Sequence, residues 1–560
     1  MPIQSRWTTP VPEVSLQKWV FGSSFGRLTS DPVFIDADRP QNKVTYSDFR
    51  LWSKRVALGL QRCGLQNGDR VLLFSGNHIL FPSVFMGVVM AGGIFTGASP
   101  AFTANELAYQ LSNSGAFVLI AAPQVLDIAV KAAEQAKLPK ERLFVLNDPN
   151  DRSQSASGVR SWMELLANNA DAEKFDWVEP LNPCETTCCL NYSSGTTGAP
   201  KGVEITHYSY VANGEASLLQ HRLNKEATRD TSIGAGLCFL PLYHAAGQTT
   251  YAVNHPRMGM PVYVMPAFNF ERMLQHIQNY GISSLGCAPP IVRALAKSPL
   301  PRKYDLSSVS TLTCGTAPLA PELAIEVEKL WPRGSVFVKQ GWGMTELTCV
   351  GTIMDPAATA RSDSVGEMVP NATFKLMDGD REVTEANKRG ELWFSGPTVM
   401  KGYWRNPKAT QDTIEVENGT RWLKTGDIAY VDSYGPGGMI HIVDRIKELL
   451  KVKGFQVAPA ELEAVLLERK DVLDAGVVGV KIDGEEVPRA YIIKSPDSKA
   501  TEADIQKWME SKVAKYKRLT GGVVFTDNIP RVPSGKILRR VLKERAQAEL
   551  AKEKRPAKLS

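Results

Sequence analysis

The most informative segment of the chain reads Tyr192-Ser193-Ser194-Gly195-Thr196-Thr197-Gly198-Ala199-Pro200-Lys201-Gly202. It follows the apolar run Cys188-Cys189-Leu190, which predicts a buried strand. Glycine lets backbone N–H groups approach an anion closely, and the hydroxyls and the lysine supply further donors and positive charge. The segment therefore predicts a phosphate-binding loop after a strand. It differs from the Walker loop, because Pro200 stands where that motif needs its second glycine.

Strand and helix patterns alternate on both sides of this loop. Apolar runs at residues 71–74 and 117–120 predict buried strands, and residues 81–90 and 125–136 have the composition of helices. The alternation continues to about residue 350. It predicts an α/β fold in which two largely parallel sheets are covered by helices.

Two changes of pattern predict further units toward the C-terminus. Between about residues 355 and 444, strand-like segments alternate with Gly and Pro, which predicts a β-rich subdomain. After residue 444, amphipathic patterns at residues 459–468 and 502–512 flank short Val-rich strands. We therefore expect a large N-terminal domain over residues 1–444, a connection at residues 445–448 and a small α+β domain over residues 449–560.

Composition narrows the class of protein. The 560 residues are 43% hydrophobic and 22% charged, which is typical of globular chains and excludes a disordered or collagen-like one. No apolar run approaches the roughly 18 residues of a membrane-spanning helix. The net charge is +6, but the sequence has no basic segment with interspersed aromatic residues of the kind that is typical of nucleic-acid-binding proteins. Eight irregularly spaced cysteines indicate reduced thiols, so we expect an intracellular protein with no nucleic-acid partner and no membrane span.

Four further motifs follow the loop in order. They read Gln340-Gly341-Trp342-Gly343-Met344-Thr345-Glu346, Thr425-Gly426-Asp427, Asp444-Arg445-Ile446-Lys447-Glu448 and Pro533-Ser534-Gly535-Lys536. Together with the loop, they resemble the motifs of the adenylate-forming acyl-CoA synthetases, and the resemblance covers essentially the whole chain. Within that superfamily, the segments at residues 288–292, 296–299 and 453–463 are similar to 4-coumarate–CoA ligases and their fungal relatives.

The resemblance implies a site for ATP and AMP. Adenylation brings a carboxylate to the α-phosphate of ATP, so two anions meet, and positioning and charge neutralisation should dominate. Glu346 would be the metal ligand, a hard oxygen suited to Mg²⁺. Asp427 and Arg445 would hold the ribose and Trp342 would stack on the adenine, although the family more often has Tyr there, so a hydroxyl contact should be missing. The implied nucleotide-binding residues are Ser193, Ser194, Gly195, Thr196, Thr197, Gly198, Lys201, Gly315, Thr316, Ala317, Pro318, Gln340, Gly341, Trp342, Gly343, Met344, Thr345, Asp427, Arg445 and Lys536.

The resemblance also implies residues for catalysis and for the other substrates. The implied catalytic residues are Lys536, Thr345, Glu346, His244, Lys451 and Gln456. Coenzyme A would be bound by Lys453, Gly454 and Phe455, and the hinge would be Lys447. The acyl pocket would be lined by Tyr243, His244, Ala245, Ala246, Gly247, Cys349 and Val350.

The activity implied by the resemblance is that of an AMP-forming acid–thiol ligase. Acid and MgATP would give an acyl-adenylate and pyrophosphate, after which the thiol of coenzyme A would displace AMP. The C-terminal domain would be a mobile lid that rotates about Lys447, with Lys536 facing the site first and Lys451 and Gln456 later. The cofactors would be ATP, Mg²⁺ and coenzyme A, and the small-molecule partner an aryl, phenylpropanoid-like or medium-chain carboxylic acid. We expect a monomer or a weak homodimer.

Two alternatives to this function remain open. The chain could be a stand-alone adenylating enzyme that loads a carrier protein in trans; it ends 24 residues after Lys536, so no fused carrier is expected. Against this, residues 243–247 contain no Asp, which amino-acid-activating relatives often show there. The second alternative, a non-catalytic nucleotide-binding relative, is disfavoured because Lys536 and Glu346 are both present.

Departures from the coumarate ligases fall on the acyl pocket. After His244 the chain reads Ala245-Ala246-Gly247, where those enzymes usually carry larger residues, and after Glu346 it reads Leu347-Thr348-Cys349-Val350 in place of Ala-Gly-Pro-Val. We expect a pocket that admits a bulkier aryl or a medium-chain acyl group.

An Ala-Lys-Leu-like peroxisomal tail is displaced from the terminus by Ser560, which favours the cytoplasm over the peroxisome.

Overall fold

The computed structural model describes residues 2–147, 158–193, 199–228, 233–315, 319, 321–355, 363–452, 455–482, 485–532 and 535–553. Over these residues the chain forms two large, mainly parallel sheets, one antiparallel sheet and a smaller C-terminal sheet, with helices between the strands. The predicted α/β class is confirmed.

The first sheet has eight strands in the described chain, and all of them run in one direction except Lys201–Thr206. Their order is Gly402–Tyr403, Lys201–Thr206, Thr187–Ser193, Ile94–Ala98, Arg70–Phe74, Ala116–Ala121, Leu143–Val145 and Arg160–Ser161. The central strand Ile94–Ala98 is buried along its whole length, as continuous apolar runs in covered parallel sheets require. The strands expected at residues 71–74 and 117–120 both lie in this sheet.

The second sheet has seven strands in the described chain and is the other large sheet of the N-terminal part. Their order is Val338–Gln340, Thr311–Cys314, Ser284–Cys287, Gly236–Cys238, Val262–Val264, Pro32–Asp36 and Lys43–Thr45. All neighbours are parallel except the last pair, which is antiparallel. The carboxyl ends of parallel strands meet at one edge, so residues that follow Cys314 and Gln340 lie side by side there.

The third sheet is antiparallel and is built mostly from the segment expected to be β-rich. Its strands are Ile3–Gln4, Thr373–Asp378, Gly390–Ser395, Thr420–Val431 and Ile414–Glu417, with Arg381–Val383 and Ile440–Arg445 added at the side. A separate antiparallel pair joins Thr352–Ile353 to Glu367–Met368.

The C-terminal part has its own sheets and core. A hairpin joins Leu450–Val452 to Phe455–Val457, and a three-stranded sheet contains Val472–Ile482, Glu485–Lys494 and Val523–Phe525. Buried residues such as Leu462, Val477 and Ile492 form a cluster of their own. This cluster is distinct from the large core to which the first, second and third sheets all contribute.

The helices connect these strands and cover the sheets. They are Leu16–Phe21, Tyr46–Arg62, Phe81–Met90, Ala104–Ser114, Leu126–Gln135, Asn169–Lys174, His207–Thr228, Ala245–Gly247, His255–Met258, Phe270–Tyr280, Pro289–Lys297, Pro321–Glu328, Pro407–Thr413, Pro459–Leu467, Glu502–Lys512 and Arg539–Glu553, with a π-helical stretch at Gln248–Asn254. All ten residues of Phe81–Met90 are buried, which explains why its sequence is apolar on every side. Among the described residues, no helix combines the length and the apolar character needed to cross a bilayer.

Candidate active site

The predicted phosphate-binding loop joins two antiparallel strands at the edge of the first sheet. Ser193 ends one strand and Lys201 begins the next, and the two residues are directly paired. Ser194, Gly195, Thr196, Thr197 and Gly198 lie outside the described residues. The Ser193 hydroxyl is buried and has no hydrogen-bond partner among the residues that the structure describes.

Lys201 is held against an aromatic ring that arrives from far along the chain. Strand Gly402–Tyr403 pairs with the Lys201 strand, and the Lys201 ammonium lies 4.0 Å from the centre of the Tyr403 ring. This is a cation–π contact. The pKa of Lys201 is lowered by burial and by the charge of Lys447, while Glu346 acts to raise it.

Thr345 and Glu346 lie at the tip of a tight hairpin. Gly343 and Val350 form an antiparallel bridge, and the Gly351 N–H donates to the Trp342 carbonyl at 2.9 Å. A Cβ at Gly343 would lie only 1.9 Å from the carbonyl oxygen of Cys349, so only glycine fits at this crossing. At the tip, the Leu347 N–H donates to the Met344 carbonyl at 3.0 Å and closes a short 3₁₀ turn.

The hairpin continues through a strained residue. Thr348 has φ +67° and ψ −53°, and the Cys349 N–H donates to the Leu347 carbonyl at 2.7 Å. This geometry is a γ-turn with positive φ, which is rare, and a β-branched residue adopts it at a cost. Thr348 is fully buried, and its hydroxyl donates to the Thr398 carbonyl at 2.9 Å. The surrounding contacts therefore hold the backbone on both sides of Glu346.

The Glu346 carboxylate is buried and has a tyrosine donor. The Tyr403 hydroxyl donates to Glu346 Oε1 at 2.8 Å, and the Met400 N–H donates to the Glu346 carbonyl at 2.9 Å. Tyr403 thus contacts both the predicted metal ligand and Lys201. Burial raises the pKa of Tyr403, and the Glu346 carboxylate raises it further, so the phenol stays protonated and remains a donor.

Trp342, Asp427 and Arg445 form a second polar cluster. Asp427 and Arg445 are opposite each other in two antiparallel strands, and Arg445 Nε lies 3.2 Å from Asp427 Oδ1. The Trp342 indole N–H donates to Asp427 Oδ2 at 2.8 Å. At this position a tyrosine hydroxyl contact was expected to be missing, and the structure shows that the indole makes a polar contact of its own. Although burial acts to lower it, the pKa of Arg445 is raised by Asp427 and further carboxylates, so the guanidinium stays charged.

Trp342→Phe should weaken ATP binding, because it keeps an aromatic ring but removes the donor that orients Asp427. Loss of a hydrogen bond to a charged group predicts a rise in KM for ATP of about tenfold with a smaller change in kcat. If Asp427 binds the ribose, the preference of the enzyme for ATP over 2′-deoxy-ATP should also decrease. Steady-state kinetics of pyrophosphate release with both nucleotides measures these effects.

Trp331→Phe is the matched control for this variant. Trp331 is equally buried, and its indole donates to the Leu306 carbonyl at 2.8 Å, away from Asp427. It should leave KM for ATP and the preference between the two nucleotides unchanged. A Trp342→Phe enzyme with the same KM as the Trp331→Phe enzyme would show that the indole does not position Asp427.

The predicted adenine strip is only partly described. Gly315 and Gly341 follow neighbouring strands of the second sheet, and the Gly341 N–H donates to the Cys314 carbonyl at 2.9 Å. Gln340 is buried and accepts from the Leu319 N–H at 3.1 Å. Thr316, Ala317 and Pro318 lie outside the described residues.

Lys536 lies where the C-terminal and N-terminal parts meet, and its ammonium interacts electrostatically with residues of both polar clusters. Its pKa is lowered by burial and by the positive charge of Arg445. The carboxylates of Asp427, Glu346 and Glu448 act in the opposite direction. The predicted nucleotide, metal and lysine positions thus come together around one space.

His244, the first residue of the predicted acyl pocket, lies within electrostatic reach of Lys536. Burial, together with the charge of Lys536, lowers the pKa of His244 to about 4, so the imidazole is neutral near pH 7. Its ring contacts Tyr243, with ring centres 4.7 Å apart. Ala245, Ala246 and Gly247 form the helical turn that follows. A Cβ at Gly247 would lie 2.2 Å from the Pro241 carbonyl oxygen, so this turn packs too closely for a side chain there.

The residues predicted to serve the second step, the transfer of the acyl group to coenzyme A, do not lie with Lys536 and the polar clusters. Lys451, Phe455 and Gln456 are exposed on the C-terminal hairpin, and Phe455 stacks on Tyr516 with ring centres 4.3 Å apart. Lys453 and Gly454 lie outside the described residues. Lys447 lies in an exposed turn between Arg445 and Glu448, which the Glu448 N–H closes by donating to the Arg445 carbonyl at 2.9 Å.

One residue of the site was not found from the sequence. Tyr403 contacts Glu346 and Lys201, yet its segment Gly402-Tyr403-Trp404 has no pattern that distinguishes it from an ordinary strand. Only the pairing of its strand with the strand that begins at Lys201 reveals the contact.

The profiles of two known families match the chain. Residues 25–404 match the AMP-binding enzymes, and residues 461–536 match the C-terminal domain of AMP-binding enzymes. The first match alone covers more than half of the chain.

Curated relatives match over nearly the full length. An acyl-CoA synthetase of Alternaria alternata is 37% identical over 524 residues, which are 92% of this chain and 88% of the relative. A phenylacetyl-CoA ligase of Aspergillus niger is 33% identical over 557 residues, or 98% and 100% of the two chains. A 4-coumarate–CoA ligase of Arabidopsis thaliana is 35% identical over 539 residues, or 95% and 92%. The predicted resemblance to acyl-CoA synthetases and coumarate ligases is confirmed.

Solved structures agree on the fold. The crystal structure of an anthranilate CoA ligase in complex with anthranoyl-AMP superposes with a TM-score of 0.81 at 22% identity, and the match covers 97% of this chain and 99% of that one. At this identity the likeness concerns the fold, with its large N-terminal and smaller C-terminal domain.

Proposed function

The chain belongs to the family of AMP-binding enzymes, and from this premise we propose that it is an acyl-CoA ligase for an aryl, phenylpropanoid-like or medium-chain carboxylic acid. It converts the acid and ATP to an acyl-adenylate and pyrophosphate, and then transfers the acyl group to coenzyme A with release of AMP. The relatives named acyl-CoA synthetase, phenylacetyl-CoA ligase and 4-coumarate–CoA ligase support this class of reaction.

The observation that carries the proposal is the position of Lys536. Lys536 is half-buried and lies within electrostatic reach of Glu346, Asp427 and Arg445, which lie more than 90 positions earlier in the chain. A half-buried lysine beside side chains that we assign to the nucleotide is suited to bridge a carboxylate and a phosphate. A surface lysine would have no such neighbours.

The first step requires positive charge where two anions meet. The carboxylate oxygen of the acid attacks the α-phosphorus, and the bond to the pyrophosphate oxygen breaks. Lys536 and Lys201 offset the negative charge in the transition state, and the Thr345 hydroxyl donates a hydrogen bond to an oxygen of the α-phosphate. His244 is neutral and lies beside the acid without adding a further charge. Prearranged charges of this kind need no reorganisation during the reaction.

The donor set fits Mg²⁺ bound mainly through the nucleotide. Among the described residues there is no group of three or more His, Cys, Asp or Glu side chains that could hold a metal ion. A single buried carboxylate, Glu346, suits Mg²⁺, which usually takes one or two carboxylates and completes its shell with phosphates and water. When bound, the ion would neutralise phosphate charge. Tyr403 orients the carboxylate that would hold it.

The second step needs a different face of the C-terminal domain. The thiol of coenzyme A loses its proton, its sulfur attacks the acyl carbon, and the bond from that carbon to AMP breaks. Lys451, Phe455 and Gln456 are exposed in the present arrangement, and a rotation about residues 445–448 would bring them to the site. The present arrangement thus corresponds to the adenylation step.

A panel of acids tests the proposal. Cinnamic, benzoic, phenylacetic and medium-chain fatty acids are each supplied with ATP, with and without coenzyme A, and AMP release is measured. We expect AMP release that requires both an acid and coenzyme A. Pyrophosphate exchange without coenzyme A-dependent AMP release would favour the carrier-loading alternative. Nucleotide binding with no acid-dependent exchange would identify a non-catalytic relative.

Ala246→Tyr should change which acid is preferred. Ala246 is half-buried two residues after His244, and a tyrosine there would fill space that we assign to the acyl group. Each buried methylene is worth about 0.8 kcal/mol, so an acid that loses room for two carbons should lose roughly tenfold in kcat/KM. Competition between 4-coumarate and a C8–C10 fatty acid, in wild type and variant, measures the shift and controls for enzyme concentration. A strong wild-type preference for coumarate that the variant leaves unchanged would contradict this assignment of the pocket.

The location in the cell is a separate proposal. We propose the cytosol, although one relative is named a peroxisomal OPC-8:0-CoA ligase. A fluorescent protein fused to the N-terminus, imaged beside a peroxisomal marker, tests this. Overlap with the marker would contradict it.

A further inference from the structure

An ion-pair cluster links the helix Pro289–Lys297 to the C-terminal domain. Arg293 Nη1 lies 2.5 Å from Asp474 Oδ1, and Arg531 Nη2 lies 2.8 Å from the same oxygen and 3.1 Å from Asp474 Oδ2. The three side chains are only 15–18% exposed. Charge-assisted hydrogen bonds at such low exposure are stronger than surface pairs.

The same cluster is connected to the loop that carries Lys536. Arg531 Nη1 donates to the Gly535 carbonyl at 2.6 Å, and the Val532 N–H donates to the Lys536 carbonyl at 2.9 Å. Arg531 and Ile537 form a bridge across the base of the loop. Asp474 is therefore connected to the backbone of Lys536 through one side chain, Arg531.

The loop also rests on the start of the helix that carries Arg293. Gly535 has φ +87°, and a Cβ built on it would lie 3.2 Å from both Ala288 Cβ and Pro290 Cδ. The loop backbone thus contacts one end of the helix, while Asp474 pairs with Arg293 one turn further along. These two contacts fix both the position and the orientation of the loop relative to the N-terminal domain.

Only one member of the ion-pair cluster belongs to the N-terminal domain. Asp474 and Arg531 both lie after the hinge, so they move together when the C-terminal domain rotates. Arg293 lies before the hinge, so rotation separates it from Asp474. The Arg293–Asp474 pair can stabilise only the arrangement in which Lys536 faces the nucleotide site.

We propose that Arg293 is a positioning residue for Lys536, and that its pair with Asp474 holds the C-terminal domain in the adenylation arrangement. The inference rests on the two-step reaction proposed above. Arg293 touches no reacting group; it acts through Asp474 and Arg531 on the Lys536 loop. Its effect should therefore fall on acyl-adenylate formation and not on thioester formation, because a contact made in one state biases only that state.

The test measures the two half-reactions separately in the full-length enzyme. Arg293→Leu should slow pyrophosphate release from acid and ATP about tenfold, as expected for loss of a charge-assisted hydrogen bond. Thioester formation from supplied acyl-adenylate and coenzyme A should keep its wild-type rate. Arg293→Lys, which retains the charge, should restore most of the first rate. If Arg293→Leu does not fold, Arg293→Gln, checked by its melting temperature, takes its place.

Lys297→Leu is the matched control on the same helix. Lys297 lies 2.7 Å from Glu326, and both residues precede the hinge, so this pair does not report on rotation. The control should leave both half-reactions at wild-type rates. If it slows adenylation as much as Arg293→Leu does, the effect comes from the helix and the proposal is wrong.

A double-mutant cycle decides whether Arg293 acts through Asp474. Asp474→Asn alone should slow adenylation, and adding Arg293→Leu to it should cause little further loss, because contacting residues are not additive. Independent losses that multiply would overturn the proposal, as would an equal loss of both half-reactions in Arg293→Leu. If the wild-type enzyme forms the adenylate but no thioester, the proposed ligase function is wrong, while the adenylation rates still test the role of Arg293.

Discussion

Lys536→Ala should abolish acyl-adenylate formation while sparing the second half-reaction. The substitution removes the half-buried ammonium that interacts with Glu346, Asp427 and Arg445 and leaves their charges in place. By analogy with other removed electrostatic donors, the loss should be about 3–4 kcal/mol of transition-state stabilisation, or roughly 10²–10³-fold in rate. Pyrophosphate release from acid and ATP measures the first half-reaction. Conversion of supplied acyl-adenylate to the thioester measures the second.

Lys507→Ala is the control for general effects of removing a lysine from this domain. Lys507 is exposed on the helix Glu502–Lys512, on the part of the chain that carries Lys536. It should behave as wild type in both half-reactions. If Lys536→Ala lost both half-reactions equally, Lys536 would serve the whole reaction and the division between two arrangements would have to be abandoned.

Lys447→Pro should have the opposite pattern, with adenylate formed in a burst and thioester turnover reduced to background. Lys447 lies in an exposed turn, and the structure records no acceptor for its N–H among the described residues. Proline there removes no recorded hydrogen bond, but it fixes φ near −65° and restricts Ile446 as well. Because the Glu448 and Leu449 N–H groups both donate to the Arg445 carbonyl, the restriction on Ile446 also strains the present turn, so adenylate formation should slow somewhat. The change in backbone angles that rotation needs should be blocked. A single-turnover burst of pyrophosphate, followed by CoA-dependent AMP release, measures both steps.

Lys447→Ala separates the backbone from the side chain. It removes the ammonium, which contributes to the lowered pKa of Lys201, but it leaves the backbone free to rotate. It should keep thioester turnover. If Lys447→Pro also turns over normally with coenzyme A, the rotation takes place at another residue.

The sequence predicted the elements with the strongest patterns well. Residues 81–90 form the helix Phe81–Met90, and the helices expected at 459–468 and 502–512 are Pro459–Leu467 and Glu502–Lys512. These segments have continuous apolar runs or clear amphipathic periodicity, which are local properties. The domain boundary near 444–448 follows a change in local composition and stays a prediction.

The sequence also identified most of the charged and hydrogen-bonding side chains of the site, but not the residues that they contact. Glu346, Asp427 and Lys536 were selected by motif, and the structure brings all three around one space. Trp342 was expected to stack on the adenine without the hydroxyl contact of a tyrosine, and the structure adds a contact that was not foreseen, from its indole to Asp427, 85 residues further along the chain. A sequence motif shows that an indole N–H is present, but it does not show which acceptor that N–H will bind.

The sequence by itself therefore determined the class of fold, the family and the identity of the charged residues, because these depend on residue type and on spacing along the chain. Only the tertiary structure decided which side chains meet. Tyr403 reaches Glu346 over 57 residues, and Arg293 reaches Asp474 over 181. The physical reason is that such contacts arise from the pairing of distant strands and the docking of two domains. Neither process produces a periodicity that can be read from the residues nearby.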